Sequence, residues 1–182
     1  TTNKLSGLHR SYIVDGTPFW IYTLGTLVRS TRTGAQVTIK TLASSNKGVH
    51  AVDANGSIYI LTANTTDKVQ KTDGTLAGTG DHGSGNIPFA SIGVWHKRRL
   101  YLNDLTNFSQ LWFSDTNDPD TFRNQDSSAT ETQGGYIKVS TGDGDRIKGL
   151  GIVGSVLFVF KERSLHMLLG SSFTGSEAFH LL

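Results

Sequence analysis

The sequence predicts an antiparallel all-β protein made of blade-like groups of short strands, with a β-sandwich as the alternative. Three observations predict it. Runs rich in β-branched and aromatic residues, at Ala90 to Val94, Arg99 to Asn103, Gln110 to Ser114 and Leu157 to Lys161, are bounded by Gly, Asp, Asn or Ser, the punctuation of short paired strands. Of 182 residues, 21 are Gly and 3 are Pro, against an ordinary Gly usage of about 7%, so the chain turns often. Trp20, Tyr59, Tyr101 and Phe158 align as equivalent strand aromatics at separations of 39, 42 and 57 residues. The first two separations suit a four-stranded propeller blade, and the third is lengthened by a polar insertion from Asp115 to Gly135.

Taken in order, one domain over 1–182 is expected to hold blade-like units near 11–45, 46–80, 87–124 and 135–182. In the first, Asp15-Gly16 is a hairpin turn, because Gly takes the positive φ required at the second corner. Thr33-Gly34 makes the next turn, and Val37 and Ile39 alternate with Thr38 and Lys40, which puts the two apolar residues on the core face. The second unit repeats the plan, with Asn55-Gly56 before Ser57 to Thr62, a charged strand over Lys68 to Lys71, a turn at Asp73-Gly74, and a flexible polar link from Gly78 to Gly85. In the third, His96 to Arg99 is read as a basic strand leading into Leu100-Tyr101-Leu102, then Leu111-Trp112-Phe113. Pro119 ends it, since Pro cannot extend a central ladder, and 115–135 is expected to be an exposed loop. The fourth opens at Tyr136 to Val139 and turns at Gly142 to Asp145. It continues through Arg146 to Val153, a turn at Gly154-Ser155, and Val156 to Phe160, a run apolar on both faces and so expected to be buried on both. Ser164 to Leu169 then pairs back. Trp20, Tyr59, Tyr101, Trp112 and Phe158 are the candidate core aromatics.

Charge and composition exclude several functions as leading readings. The 17 basic and 15 acidic residues leave +2, too weak a field to point to nucleic acid or an anionic membrane as main partner. No run approaches the length of a membrane span, and with no cysteine there is neither a disulfide framework nor a Cys-based metal site. The apolar end, Phe179 to Leu182, is expected of a processed or partial polypeptide. Asp115 to Asp120 imitates a calcium loop, yet Asp120 stands where that loop needs Gly and Asp126 where it needs Glu. Gly142 to Gly149 lacks the Gly-Lys-Ser/Thr ending and the following helix of a phosphate loop. No His pair has metal-ligand spacing, and no Gly-x-Ser-x-Gly elbow is present. The expectation is therefore no enzyme and no cofactor. The basic run His96, Lys97, Arg98 and Arg99, with Asp118 and Asp120, is read as a candidate subunit contact, since charged edges also discourage unwanted strand pairing.

A resemblance rests on three phrases: Gly93 to Tyr101 with its Arg-Leu-Tyr ending, Gln110 to Ser114 followed by Asp118-Pro119-Asp120-Thr121-Phe122, and Ile147 to Gly170 with Phe160-Lys161-Glu162-Arg163-Ser164-Leu165. Together they resemble a passage of bacteriophage virion proteins with β-propellers: the tail nozzle or tail tubular protein B group and related head-to-tail stabilisation proteins. The resemblance covers Ile87 to Gly170. It implies a non-enzymatic structural subunit, made in the host cytoplasm and built into the virion, forming a homo-oligomeric ring around the DNA path. Its partners would be other tail or portal and adaptor proteins, with DNA only as passing cargo. The alternative is a carbohydrate- or receptor-binding propeller of a phage tail, using Trp20, Trp95 or Trp112 to stack on sugars.

Overall fold

The computed structural model describes residues 4–13, 15–43, 49–83, 85–126, 130–174 and 178–182. Among these the protein is all-β: sixteen strands form four antiparallel sheets of four strands, each with sequence neighbours paired. The chain divides into two compact units, residues 1–82 with 89–91 and residues 83–88 with 92–182. The expected boundary between the first two blade-like units, at 45/46, lies outside the described residues.

The first unit holds two sheets. One is β1 (Leu5–Ser11), β2 (Phe19–Leu24), β3 (Leu27–Ser30) and β4 (Val37–Thr41); the other is β5 (His50–Ala54), β6 (Ser57–Leu61), β7 (Gln70–Thr72) and β8 (Gly80–Asp81). The hairpin between β5 and β6 has Asn55 at φ 45° and Gly56 at φ 81°, the two positive φ values of a type I′ turn, whose twist matches the strands it joins. Two expectations need correction. The first sheet starts at Leu5, ahead of the anticipated Ser11, because Leu5 to Ser11 pairs along the whole of β2. The supposed flexible link contains β8, which Lys40 secures from the first sheet through a 2.7 Å bond to Asp81.

The inward residues Phe19, Ile21, Val28 and Ile39 of the first sheet meet Ala51, Ile58 and Ile60 of the second. Polar bonds fix the same approach, since the Asp53 carboxylate on β5 contacts His9 Nε2 at 2.8 Å and accepts from the Ser11 hydroxyl at 2.9 Å. The backbones come close enough at Gly7 that a Cβ there would stand 2.1 Å from the carbonyl oxygen of Val49. A backbone neighbour cannot rotate away, so Gly7→Ala is expected to destabilise the protein by about 1–3 kcal/mol, read as a lower urea midpoint. An unchanged midpoint would mean that Gly7 and the Val49 backbone are not in this contact.

The second unit also holds two sheets: β9 (Gly93–His96), β10 (Arg99–Asn103), β11 (Gln110–Phe113) and β12 (Gly135–Lys138), then β13 (Ile147–Val153), β14 (Val156–Lys161), β15 (Leu165–Leu169) and β16 (His180–Leu181). The strand expected at Ala90 to Val94 is Gly93–His96, starting three residues later. Lys97 and Arg98 take φ 44° and 62° and form the turn, so that His96 pairs directly with Arg99. His96 to Arg99 is therefore a hairpin corner and not a strand. Likewise β12, expected to open the fourth unit, pairs with β11 and completes the third sheet. The polar insertion thus lies inside one sheet, between its third and fourth strands.

Tyr101, Leu111 and Phe113 pack against Val139, Ile147, Leu157, Val159 and Leu168 to make the second core. The rings of Phe173 and Phe179 close it, with centroids 5.1 and 4.9 Å from that of Phe113. β14 is buried on one face only. Leu157, Val159 and Lys161 point inward, whereas Phe160 is 44% exposed.

Candidate interaction site

Of the candidate core aromatics, Trp20, Tyr59, Tyr101 and Phe158 lie on the second strand of their sheets and Trp112 lies on a third strand. Their environments differ. Tyr59 and Tyr101 are fully buried, and burial pushes the Tyr101 hydroxyl well above the ordinary tyrosine range. Trp112 is also buried, with its ring N–H donating to Asp104 and Gln110 at 3.1 Å each. Phe158 is half-buried, and Trp20 is 40% exposed. Trp20 is thus corrected from core to surface. It stands on the outer face of β2 opposite Arg10, whose guanidinium lies 5.5 Å from the Trp20 ring and 4.9 Å from that of Tyr12.

The candidate contact residues divide sharply. Arg98 and Asp118 are exposed, Lys97 and Asp120 are half-buried, and the Asn117 amide donates to the Arg98 carbonyl at 2.8 Å, which sets the hairpin corner beside the insertion. His96 and Arg99 are buried and cannot serve as contact surface. The His96 ring faces Tyr101, and its Nε2 lies 3.2 Å from the Ser155 carbonyl oxygen; burial lowers its pKa. His82, within the stretch expected to be a flexible link, is buried with its ring 5.7 Å from that of Tyr59.

Arg99 faces inward because it shares the core face of β10 with Tyr101. Its Nη1 donates to the carbonyls of Ser114 at 2.6 Å and Gln133 at 3.1 Å, its Nη2 donates to that of Glu131, and the group lies 5.3 Å from the Phe113 ring centroid. A planar fork with several fixed donors suits such a fan of carbonyls. The insertion is consequently tied down. Asp115 receives Arg123 Nε at 3.0 Å and Nη2 at 2.7 Å, and accepts the Gly134 amide at 2.6 Å. Pro119, Phe122, Gly134 and Gly135 are buried. The expected exposed loop at 115–135 is a packed flap with exposed stretches; residues 127–129 lie outside the described residues.

Sequence reasoning missed Lys161, whose side chain has no exposed surface. Its ammonium donates to the carbonyls of Val139 at 3.0 Å and Ser140 at 3.1 Å and to both oxygens of Asp143 at 2.6 Å. The signal was present: with Leu157 and Val159 inward, period two carries Lys161 to the same face. A cleft of about 450 Å³ lies nearby, lined by Asn107, Phe108, Gln110 and Lys138 among others, and the Arg146 guanidinium sits 3.8 Å above the Phe108 ring. No group of three or more His, Cys, Asp or Glu residues is disposed to hold a metal ion among the described residues, and no helix there is long and apolar enough to cross a membrane. No protein-family model matches the chain, and no curated protein matches it.

Proposed function

We propose that this chain is a non-enzymatic structural subunit of a phage virion, a component of the tail nozzle, tail tube or head-to-tail connector that assembles in several copies around the DNA path. The observation that carries the reading is the work done by the residues of the three resemblance phrases. Arg99 and Ser114 join the first two phrases, since Arg99 donates to the Ser114 carbonyl and Ser114 Oγ accepts the Leu100 amide at 3.0 Å. Phe122 is buried in the flap, and Lys161 anchors the third phrase. These side chains are spent on holding backbone in place, which is what a rigid building block needs. Of the three tryptophans offered for sugar stacking, Trp112 is enclosed with its N–H already bonded, which leaves that alternative to half-buried Trp95 and exposed Trp20.

Electron microscopy of purified particles labelled with antibody against this chain tests the reading. Label is expected at the tail vertex of intact particles. Particles that carry none, with the protein confined to the soluble fraction of infected cells, would overturn it.

A further inference from the structure

We infer that the cleft between the β10–β11 turn and the β12–β13 turn is a binding site for a carboxylate-bearing sugar residue. The cleft lies wholly within the second compact unit, and the inference goes beyond the structural reading without resting on it. Its floor is the directly paired Gln110 and Lys138 of β11 and β12. Its volume of about 450 Å³ falls in the range of small-ligand sites.

Three kinds of group meet there. The first is an aromatic face. Phe108 lines the cleft and is 36% exposed, and its carbonyl accepts the Ile147 amide at 3.2 Å, which holds the turn against β13. The C–H face of a pyranose packs on such a ring. The second is positive charge. The Arg146 guanidinium lies 3.8 Å from the Phe108 ring centroid, is exposed, and has no ion pair or side-chain hydrogen bond among the described residues. The Lys138 ammonium contacts Asp126 at 2.8 Å, with the two side chains 51% and 52% exposed. So exposed a pair contributes little, and a ligand carboxylate can replace it.

The third is a set of polar groups whose orientation is fixed by their inner partners. The Trp112 ring N–H can only donate, so the Gln110 oxygen turns to it at 3.1 Å and the Gln110 amide nitrogen is left with two donors. The Asp104 carboxylate accepts, so the Asn107 nitrogen turns to it at 3.2 Å and the Asn107 oxygen is left as an acceptor. Thr141 adds a hydroxyl with no bond among the described residues. Beside it, Gly142 and Gly144, at φ 95° and 71°, make a wall without side chains, and open space lies beyond both.

This chemistry selects the occupant. A hydroxyl both donates and accepts, so neighbouring sugar hydroxyls satisfy the Gln110 donors and the Asn107 acceptor together. Two cations beside the ring favour an acid over a neutral sugar. A peptide strand has less to hold. β12 is the edge of its sheet, but its outward amide at Tyr136 already donates to the Gln125 carbonyl at 2.9 Å, which removes a bond that strand addition needs.

Nuclear magnetic resonance titration of the isotope-labelled whole chain is the test. The probes are glucuronate, galacturonate and N-acetylneuraminate, with glucose, galactose and a triglutamate peptide blocked at both ends as comparisons. At least one acid is expected to shift the amides of Ser109, Gln110, Thr141 and Gly142 with a Kd on the order of 1 mM, and the neutral sugars to bind about tenfold more weakly or worse, the scale of one lost charged contact. Phe108→Ala and Arg146→Gln should each weaken the acid about tenfold. Asp126→Asn, which frees Lys138, should tighten it. All three side chains are exposed, and circular dichroism melts show whether each variant is folded. Four results would each overturn the inference: no acid moving these amides, neutral sugars binding as well as the acids, the peptide binding more tightly than every acid, or Arg146→Gln and Asp126→Asn both binding as the wild type does. A particle without antibody label would leave these titrations as they stand, so the two readings fail separately.

Discussion

Arg99→Met is expected to lower the stability of the protein by about 3–5 kcal/mol, in the range of losing one partner from a buried charged network. The substitution keeps much of the aliphatic volume and removes the fork that serves the carbonyls of Ser114, Glu131 and Gln133. The Ser114 carbonyl stays buried, and an unsatisfied buried group costs about 1–3 kcal/mol. Arg99→Lys should recover only part of the loss, since one ammonium cannot span the fan that a guanidinium spans. Urea unfolding gives the magnitude. Limited proteolysis gives the place, with cleavage between Asp115 and Gly135 expected to accelerate in Arg99→Met before the rest of the chain is attacked. A loss below about 1 kcal/mol, the ordinary cost of a point substitution, would mean that Arg99 does not hold the flap.

Lys161→Met is expected to cost about 3–5 kcal/mol, the range for removing one partner of a buried charged network, because the carbonyls of Val139 and Ser140 both lose a charged donor. Ser140 sits at φ 46°, a left-handed conformation that a non-glycine residue adopts at some cost, so this anchor also holds a turn against its own preference. The bond from Lys161 holds the Asp143 carboxyl below its usual range, reinforced by the Asp145 amide. A depressed folded-state pKa gives stability that is present above the unfolded value and is lost as pH falls through the folded one. The thermal midpoint of the wild-type protein should therefore fall more steeply than that of Asp143→Asn as pH drops from about 5 through the ordinary aspartate range near 4 and below. Parallel curves for the two proteins would remove Asp143 from this account.

Much of the fold was legible because turns are local. Asp15-Gly16, Asn55-Gly56 and Gly154-Ser155 declared their hairpins, and Gly16, Gly56 and Gly154 all have positive φ. The corner at Lys97 and Arg98 was not legible, since neither residue is a usual occupant of a left-handed turn. Its geometry is imposed by the pairing of His96 with Arg99, and the strand that pairs there is Gly93–His96 in place of the expected Ala90 to Val94. The candidate contact residues were half legible. A run of four basic residues is visible in the sequence, but which of them turn inward depends on where the turn falls.

By itself, the sequence determined the strand-and-turn grammar, the placement of Trp20, Tyr59, Tyr101 and Phe158 on second strands, and the near-neutral, cysteine-free composition. Period-two alternation and turn glycines act over a few residues, so they can be read without knowing what lies across the sheet. Only the tertiary structure decided that β12 completes the third sheet, that Arg99 and Lys161 are interior anchors, and that Trp20 and Phe160 are exposed. Those outcomes depend on which strand pairs after a long insertion and on which faces find a covering sheet. Both are contacts between residues far apart in the chain, and their energy is absent from any local pattern.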